Sequence, residues 1–498
     1  PLVGVGVRGL RPGHLKCLTQ GHFHHEEARK AEKVWKEFGS AYAGGLLPRW
    51  VIRSLNGGLL TPLVKKPTPE GQSPDARPAN ARDVDVTLPL KAIQRKAAPA
   101  LLRLVGPQQL GVGVKNGVEL KVLGMKILIY LHKADGTSFV IVIIDLKNAH
   151  NAYDRKKAQV ALDEAAAADP ELRDIARAHH ADCGQPSDIY MRTEGPRGYT
   201  RICEGTAGGP QGSPITNGAF PAVINSALKA TEAEFGVDVK AIQDDCAVMG
   251  HPVKIFGPNG DDGALNRLLE RLKEVGLESV PTKFQCYAVN TDPSAIPSAI
   301  PRPFHITDPT QRAQVSEKEA AAVAAEEAAR SAPAHRKETA EQDAAAARAS
   351  ATDARRAVPE EHRAYGIESC GAAAGDGEYV ANFLQRESDR ITSRIQNTAT
   401  ALTAESAQAG HCALHLSLQN RTDFLLATHL PSETRSLANA VEEALRKARR
   451  QAYGTNLHCT TPTWTGQRDP TFTQDQANLR IGNGGVGFRD TSERALFL

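Results

Sequence analysis

No CxxC pair occurs anywhere in the chain. Its 8 cysteines, at positions 17, 183, 203, 246, 286, 370, 412 and 459, are scattered. That usage excludes a zinc ribbon and a disulfide framework and fits a reducing compartment. No apolar run approaches the ~20 residues that a membrane span requires. The longest, Phe139 to Ile144, has the length of a strand, so no membrane partner is expected. No signal peptide is evident, and the chain begins at Pro1 rather than Met, as a fragment would. Neither sign of charge dominates: 60 Lys+Arg against 57 Asp+Glu leave +3, which by itself names no partner. No internal repeat is visible. What is present is ordinary globular material. The 498 residues are 41% hydrophobic and 23% charged, enough to bury a core, and their number suggests about three units.

Charge is unevenly placed. Residues 1–100 hold 16 Lys+Arg and 8 Asp+Glu, a basic surplus that suits a polyanionic partner or a solvated basic face. Residues 68–85, rich in Pro, Asp and Arg, read as an irregular loop. Phe139-Val-Ile-Val-Ile-Ile144 follows an Asp135-Gly136 turn and reads as a strand buried on both faces. In 264–275, Leu265, Leu268, Leu269, Leu272 and Val275 fall at helical spacing, with Asp262 as the expected N-cap and Gly276 as the stop. Residues 120–132, LKVLGMKILIYLH, look strand-like locally, but a short apolar run does not distinguish strand from helix. Residues 313–364 are dominated by Ala, Glu and Arg. They favour helix yet offer little to bury, and read as exposed helix or a disordered insertion. Helical spacing returns at Val380, Phe383, Leu384, Ile391, Ile395 and Leu402, and 411–453 read as two helices broken at Pro431.

Carboxylates mark the chemistry. Asp145 ends the apolar strand. Asp244 and Asp245 interrupt an alternating stretch (Val237, Val239, Ala241, then Val248) that reads as a β-hairpin with the pair at its tight turn. Adjacent aspartates in a turn often do no more than bond the local backbone. Two strands with carboxylates at one edge, however, could hold two divalent ions about 3.5–4 Å apart, the arrangement used in phosphoryl transfer. Mg²⁺ suits such a site because it takes carboxylates and substrate phosphates together. Between the two sites lies GTAGGPQGSPITNGAF (205–220), a Gly/Pro-rich loop running into a helix.

In this order the motifs resemble the reverse transcriptases of non-LTR (LINE-type) retrotransposons. Asp145-Leu-Lys-Asn-Ala-His-Asn-Ala-Tyr-Asp-Arg155 resembles the family's DLSNAFNSVDR. Gln211-Gly-Ser-Pro-Ile-Thr-Asn-Gly-Ala-Phe220 resembles QGDPLSPLLF. Ile242-Gln-Asp-Asp245 resembles (Y/A)xDD, and Gly276 to Phe284, GLESVPTKF, resembles GLxLNPxKC. Upstream, LTPLVKK (60–66), ARPANARDV (76–84) and GPQQLGVGVKNGVE (106–119) resemble fingers motifs. Downstream, YGIESCGAAAGDGEYVANFL (365–384), the stretch from Arg421 to Pro431, and GGVGFRD (484–490) resemble segments that follow the palm. The resemblance covers roughly 45–290 and 364–490.

The resemblance implies an α+β right-hand polymerase fold. It would have an N-terminal extension (1–45), fingers (46–135), a palm (136–300), the Ala/Glu/Arg-rich insertion (301–363), a helical thumb-like region (364–455) and a truncated C-terminal segment (456–498). It implies an RNA-directed DNA polymerase working on an RNA template with a DNA primer or target DNA, dNTPs and two Mg²⁺ ions, or Mn²⁺ in their place, inside the cell and in the nucleus. Asp145 and Asp244 would be principal metal ligands and Asp245 an assisting carboxylate. Lys283 would protonate pyrophosphate, and Lys65 (or Lys66) and Arg77 would grip the incoming triphosphate. Gln211 and Gly212 would pack against template and nucleotide. Asp154 reads as structural, a cap or a partner of Arg155. His150 replaces the aromatic that blocks a ribose 2′-hydroxyl, so dNTP selectivity is in question. Ile242, Ser213 and Val280 replace the family's aromatic, Asp and Asn. The 301–363 insertion is not a recognised family feature.

The alternative is a degenerate polymerase fold that only binds RNA or protein, motivated by the His150, Ile242, Ser213 and Val280 changes. A third reading is a group II intron maturase or an RNA-templated RNA polymerase. Other constellations are weak. His14, Cys17, His22, His24 and His25 have irregular spacing for zinc. His411, Cys412 and His415 read as one helix face. The pairs Gly111/Gly113 and Gly485/Gly487 are not a dinucleotide fingerprint.

Overall fold

A computed structural model describes residues 25–64, 76–193, 198–210, 212–260, 262–453 and 491. Its strands are β1 (Gly58–Val64), β2 (Ala76–Ala81), β3 (Phe139–Ile144), β4 (Ser187–Arg192), β5 (Tyr199–Gly205), β6 (Asp238–Ile242), β7 (Asp245–Gly250), β8 (Gln285–Val289), β9 (Phe304–Ile306), β10 (Arg363–Ser369) and β11 (Ala372–Gly375). The fold is mixed α+β. Among the described residues the strands form sheets in the orders β6-β7-β3-β8, β2-β1-β4-β5 and β11-β10-β9. Every pairing is antiparallel except β1 with β4. The chain divides into two compact units: residues up to Lys121 with Tyr130–Pro301, and Val122–Ile129 with residues from Arg302 onward.

The first unit is organised by β3, in which all six residues are buried, as its unbroken β-branched run requires. Val140, Val142 and Ile144 share a core with Val239, Ala241, Cys246, Val248 and Cys286 of the neighbouring strands. The helices Thr216–Phe235 and Ala264–Glu274 close that face with Phe220, Val223, Ile224, Leu228, Leu265, Leu268 and Leu272. The second helix ends as its sequence implies. Gly276 adopts φ +84, its N–H donates to Lys273 O, and Leu277 N–H donates to Leu272 O, a Schellman stop. Its start differs from expectation. The cap position is Gly263, with no side-chain bond. The Asp262 carboxylate instead folds over Gly257, occupying the space a Cβ there would fill.

A second core gathers Tyr42, Leu90, Leu101, Leu162, Leu172, Ile175 and Ile215 from the helices His25–Ala43, Val84–Val105, Arg155–Ala168 and Arg173–Cys183 and their connections. Of the expected loop over 68–85, residues 76–81 are strand β2, paired with β1 so that Pro78 faces Pro62. Pro78 is tolerated because β2 is an edge strand, and β4 pairs β1 only at Gly58 and Leu59. The stretch 120–132 is helical, inside Gly117–Asp135. At 19 residues that element is far longer than a strand.

In the second unit the Ala/Glu/Arg-rich stretch forms two helices, Pro309–Ser331 and Lys337–Arg356. Val315, Ala322 and Ala329 are buried at seven-residue intervals on one, and Ala344 and Ala351 on the other, a heptad seam built on alanine. Ion pairs Arg355–Glu319 (2.9 Å) and Arg348–Glu326 flank it. The helix Gly377–Glu405 buries Val380, Phe383, Leu384, Ile391 and Ile395 against Leu437, Val441 and Leu445 of Pro431–Tyr453. Pro431 begins that helix, where its missing N–H costs nothing, and two shorter helices, Ala407–Leu416 and Asp423–Thr428, precede it. No helix among the described residues is long and apolar enough to cross a membrane.

Candidate active site

The expected hairpin is present, and its register assembles the carboxylates. Ile242 pairs with Asp245 across a two-residue turn, Gln243-Asp244. Ile144 of β3 pairs with Cys246 of β7. Asp145, one residue beyond, therefore lies across from Asp245, with Asp244 adjoining in the turn. Residues about 100 positions apart meet at one end of two hydrogen-bonded strands. All three aspartates are half-buried. Gln243 sits at φ +55, the left-handed conformation that tight hairpin turns demand at their first central residue. Holding a glutamine there costs about 1–2 kcal/mol, so the turn needs external support.

That support comes from 106–121. Gln109 is fully buried. Its Nε2 donates to Gln243 O at 2.8 Å and its Oε1 accepts from Gln243 N–H at 3.1 Å. Leu110 N–H donates to Ala241 O and Ala241 N–H to Gln108 O, each at 2.8 Å, a parallel bridge along β6. Gly111 packs on the turn so closely that a Cβ would lie 3.2 Å from Gln243 N. Lys121 is 2% exposed. Its Nζ donates to the Asp245 carboxylate at 2.5 Å and to Asp245 O at 2.7 Å. None of these contacts was expected from sequence. The available signal was a lysine inside an apolar run and a Gln-Gln pair beside glycines.

Lys283 does reach the site. It ends the 3₁₀ turn Pro281–Lys283, and its Nζ lies 3.4 Å from Asp145 Oδ2. The segment is tied to the end of β3 by Val280 N–H donating to Asp145 O and Lys147 N–H to Glu278 O. His150 stacks on Phe220, centroids 4.6 Å apart, with Nε2 at 3.3 Å from Gln243 Oε1. Gln243 Nε2 also donates to Asn217 O. Asp154 is an N-cap, accepting from Lys156 and Lys157 N–H. Arg155 donates to the carbonyls of Gly205, Gly208 and Gln185. Burial pushes the Cys246 thiol up to about 12.

The glycine-rich loop is seated on the 149–153 backbone. Gly208 N–H donates to Tyr153 O and Gly209 N–H to His150 O, both at 2.8 Å. Gly208 has φ +57, and a Cβ there would lie 2.2 Å from the Asn151 carbonyl carbon. Gly208→Ala is expected to cost about 3 kcal/mol, combining left-handed strain with overpacking. Urea unfolding would show it as a lower midpoint at unchanged slope, and an unchanged midpoint would refute it. Gly212 is exposed at φ +96. Ser213 is buried and donates to Asp182 Oδ2 at 2.6 Å. Asp182, fully buried, also pairs with Arg82 and accepts from Tyr42 OH at 3.4 Å. On the helix Arg173–Cys183, burial lowers His179, whose Nδ1 lies 2.8 Å from Gln159 Oε1, to about 4.

Lys65, Lys66 and Gln211 lie outside the described residues, as do His14, Cys17, His22, His24 and 484–490. Arg77 lies on β2 opposite Leu63, its side chain outside them. Among the described residues no three His, Cys, Asp or Glu side chains form a metal-holding group. No family model matches the chain, and no curated protein matches it. Among solved structures, it is similar to apo telomerase from Candida tropicalis truncated from its C-terminal domain. That match has 12% identity and a TM-score of 0.32 and covers 52% of this chain. The chain spans just over half of that protein, 56%.

Proposed function

We propose that the chain is an RNA-directed DNA polymerase of the non-LTR retrotransposon type, extending a primer 3′-hydroxyl on an RNA template with dNTPs. In this reading 46–135 are fingers, 136–300 the palm and 364–455 a thumb. The observation that carries it is the register of β3 against β7, which sets Asp145 across from Asp245 and beside the Gln243-Asp244 turn. Hard carboxylate oxygens are the donors Mg²⁺ or Mn²⁺ takes. The Lys283–Asp145 pair is largely exposed, worth little, and no obstacle to an ion. Asp145 and Asp244 would be the principal ligands and Asp245 the assisting carboxylate. Two ions bound there would lower the pKa of the primer hydroxyl and neutralise the departing pyrophosphate. Lys283, whose Nζ lies 3.4 Å from Asp145 Oδ2, would protonate that pyrophosphate. Lys65 and Arg77 grip the triphosphate, and Gln211 and Gly212 contact template and nucleotide.

The test is extension of a DNA primer on an RNA template with dNTPs and Mg²⁺ or Mn²⁺. Product supports the reading. Bound RNA without product supports instead a degenerate binding fold, a reading that the enclosed Lys121 already on Asp245 favours. His150 sets the sugar preference. Its ring is polar and tied to Gln243, so it blocks a 2′-hydroxyl less than a phenyl ring does. His150→Phe is expected to raise the dNTP/rNTP incorporation ratio about 10-fold or more, within what one pocket contact supplies. An unchanged ratio would sink the gate assignment.

A further inference from the structure

We propose that Lys121 is the positioning residue of the carboxylate turn, and that Asp245 serves as its anchor, which revises the assisting role at the metal that the polymerase reading gives it. The inference rests on the polymerase reading for its consequence, though not for its geometry. Lys121 projects from the first turns of the helix Gly117–Asp135, and its side chain is wholly enclosed. Enclosing an ammonium costs several kcal/mol unless it is paired. Here it makes two bonds to one residue, the carboxylate and the main-chain carbonyl of Asp245. A bond to the carboxylate alone would orient a side chain. A bond to the carbonyl as well fixes the backbone of the first β7 residue.

Gln109 does the complementary work one step earlier, holding both the N–H and the C=O of Gln243. Two side chains from 109–121 therefore clamp the backbone on both sides of Asp244. Asp244 itself is the residue between the clamps, and its position is set by theirs. This division explains how a strained turn stays in one conformation at the one residue whose carboxylate must face the reaction. It also separates two carboxylates that adjacency makes look equivalent. Asp244 works at the reaction, with Asp145 beside it. Asp245 spends its charge on Lys121.

The experiment uses Lys121→Met, Asp245→Asn and the double variant in the full chain, read by primer extension and by amide hydrogen exchange at Gln243. Methionine matches the unbranched lysine stem. Should Lys121→Met not fold, Asp245→Asn gives the same two readings. Each single change is expected to lower kcat about 10- to 100-fold through misplacement of Asp244, with the dNTP KM within about twofold. The double variant should be no worse than Lys121→Met alone, because both bonds to Asp245 are already lost there. The Mg²⁺ concentration for half-maximal rate should stay within about twofold in Asp245→Asn, and Gln243 exchange should quicken in every variant. A rise of tenfold or more in that Mg²⁺ requirement for Asp245→Asn alone, or losses that multiply in the double variant, would make Asp245 a ligand and overturn the proposal. Unchanged Gln243 exchange in the variants would overturn it equally. Exchange is read whether or not the chain extends a primer, so a failure of the polymerase reading is distinguishable from a failure of the anchor.

Discussion

Asp145→Asn and Asp244→Asn are each expected to lower RNA-templated primer extension by roughly 10³-fold, the upper range for one electrostatic contact in an active site. Each change keeps the shape of the side chain and removes one negative charge from the end of β3 or from the hairpin turn. Stability should hardly move. The Asp145 and Lys283 side chains are 44% and 68% exposed, and an exposed ion pair contributes about 0–1 kcal/mol. Asp244 sits in the turn between strands whose register depends on backbone bonds and on Val239, Ala241 and Val248. The prediction is therefore specific: activity collapses while the urea midpoint stays in place. Matched losses of activity and stability would show that the carboxylates support the fold rather than the chemistry.

Asp182→Ala should have the opposite signature. The residue is fully buried and draws together Arg82, Ser213 of the glycine-rich loop and Tyr42 of the helix His25–Ala43. Burial already weighs against the Arg82 guanidinium charge. Removing its carboxylate partner leaves that charge enclosed and uncompensated, at a cost of about 3–5 kcal/mol. Urea unfolding measures this directly, and a loss under about 1 kcal/mol would contradict it. The same network gives Ser213 a physical reason. A hydroxyl can donate to Asp182, whereas a carboxylate in its place would set two negative charges against each other in a buried site. The difference from the QGDP pattern is thus matched to a neighbour 31 positions away in sequence.

Legibility followed the range of the interactions involved. The strand at 139–144, the hairpin around Asp244 and the glycine stop at 276 were readable because each is decided by a few consecutive residues. The resemblance singled out Lys283, but its contact with Asp145 is visible only in the structure. The clamp on the turn was not readable, since Gln109 and Lys121 act on residues more than 120 positions away. Neither residue type announces such a role, and the local pattern around Lys121 reads equally well as strand. Asp262 illustrates a local failure. An aspartate before a helix is a fair cap, but a glycine nearby offered its carboxylate another position. In the helices Pro309–Ser331 and Lys337–Arg356, heptad burial of alanines was hidden because alanine is common throughout the segment. Only Val315 marks the seam by type.

The most direct test is dNTP binding to the full chain with and without Mg²⁺ or Mn²⁺, measured for the unaltered protein and for Asp244→Asn. The account predicts binding that requires the divalent ion and is lost in the variant. Binding that ignores both the ion and Asp244, or no binding in any condition with RNA affinity intact, would contradict it.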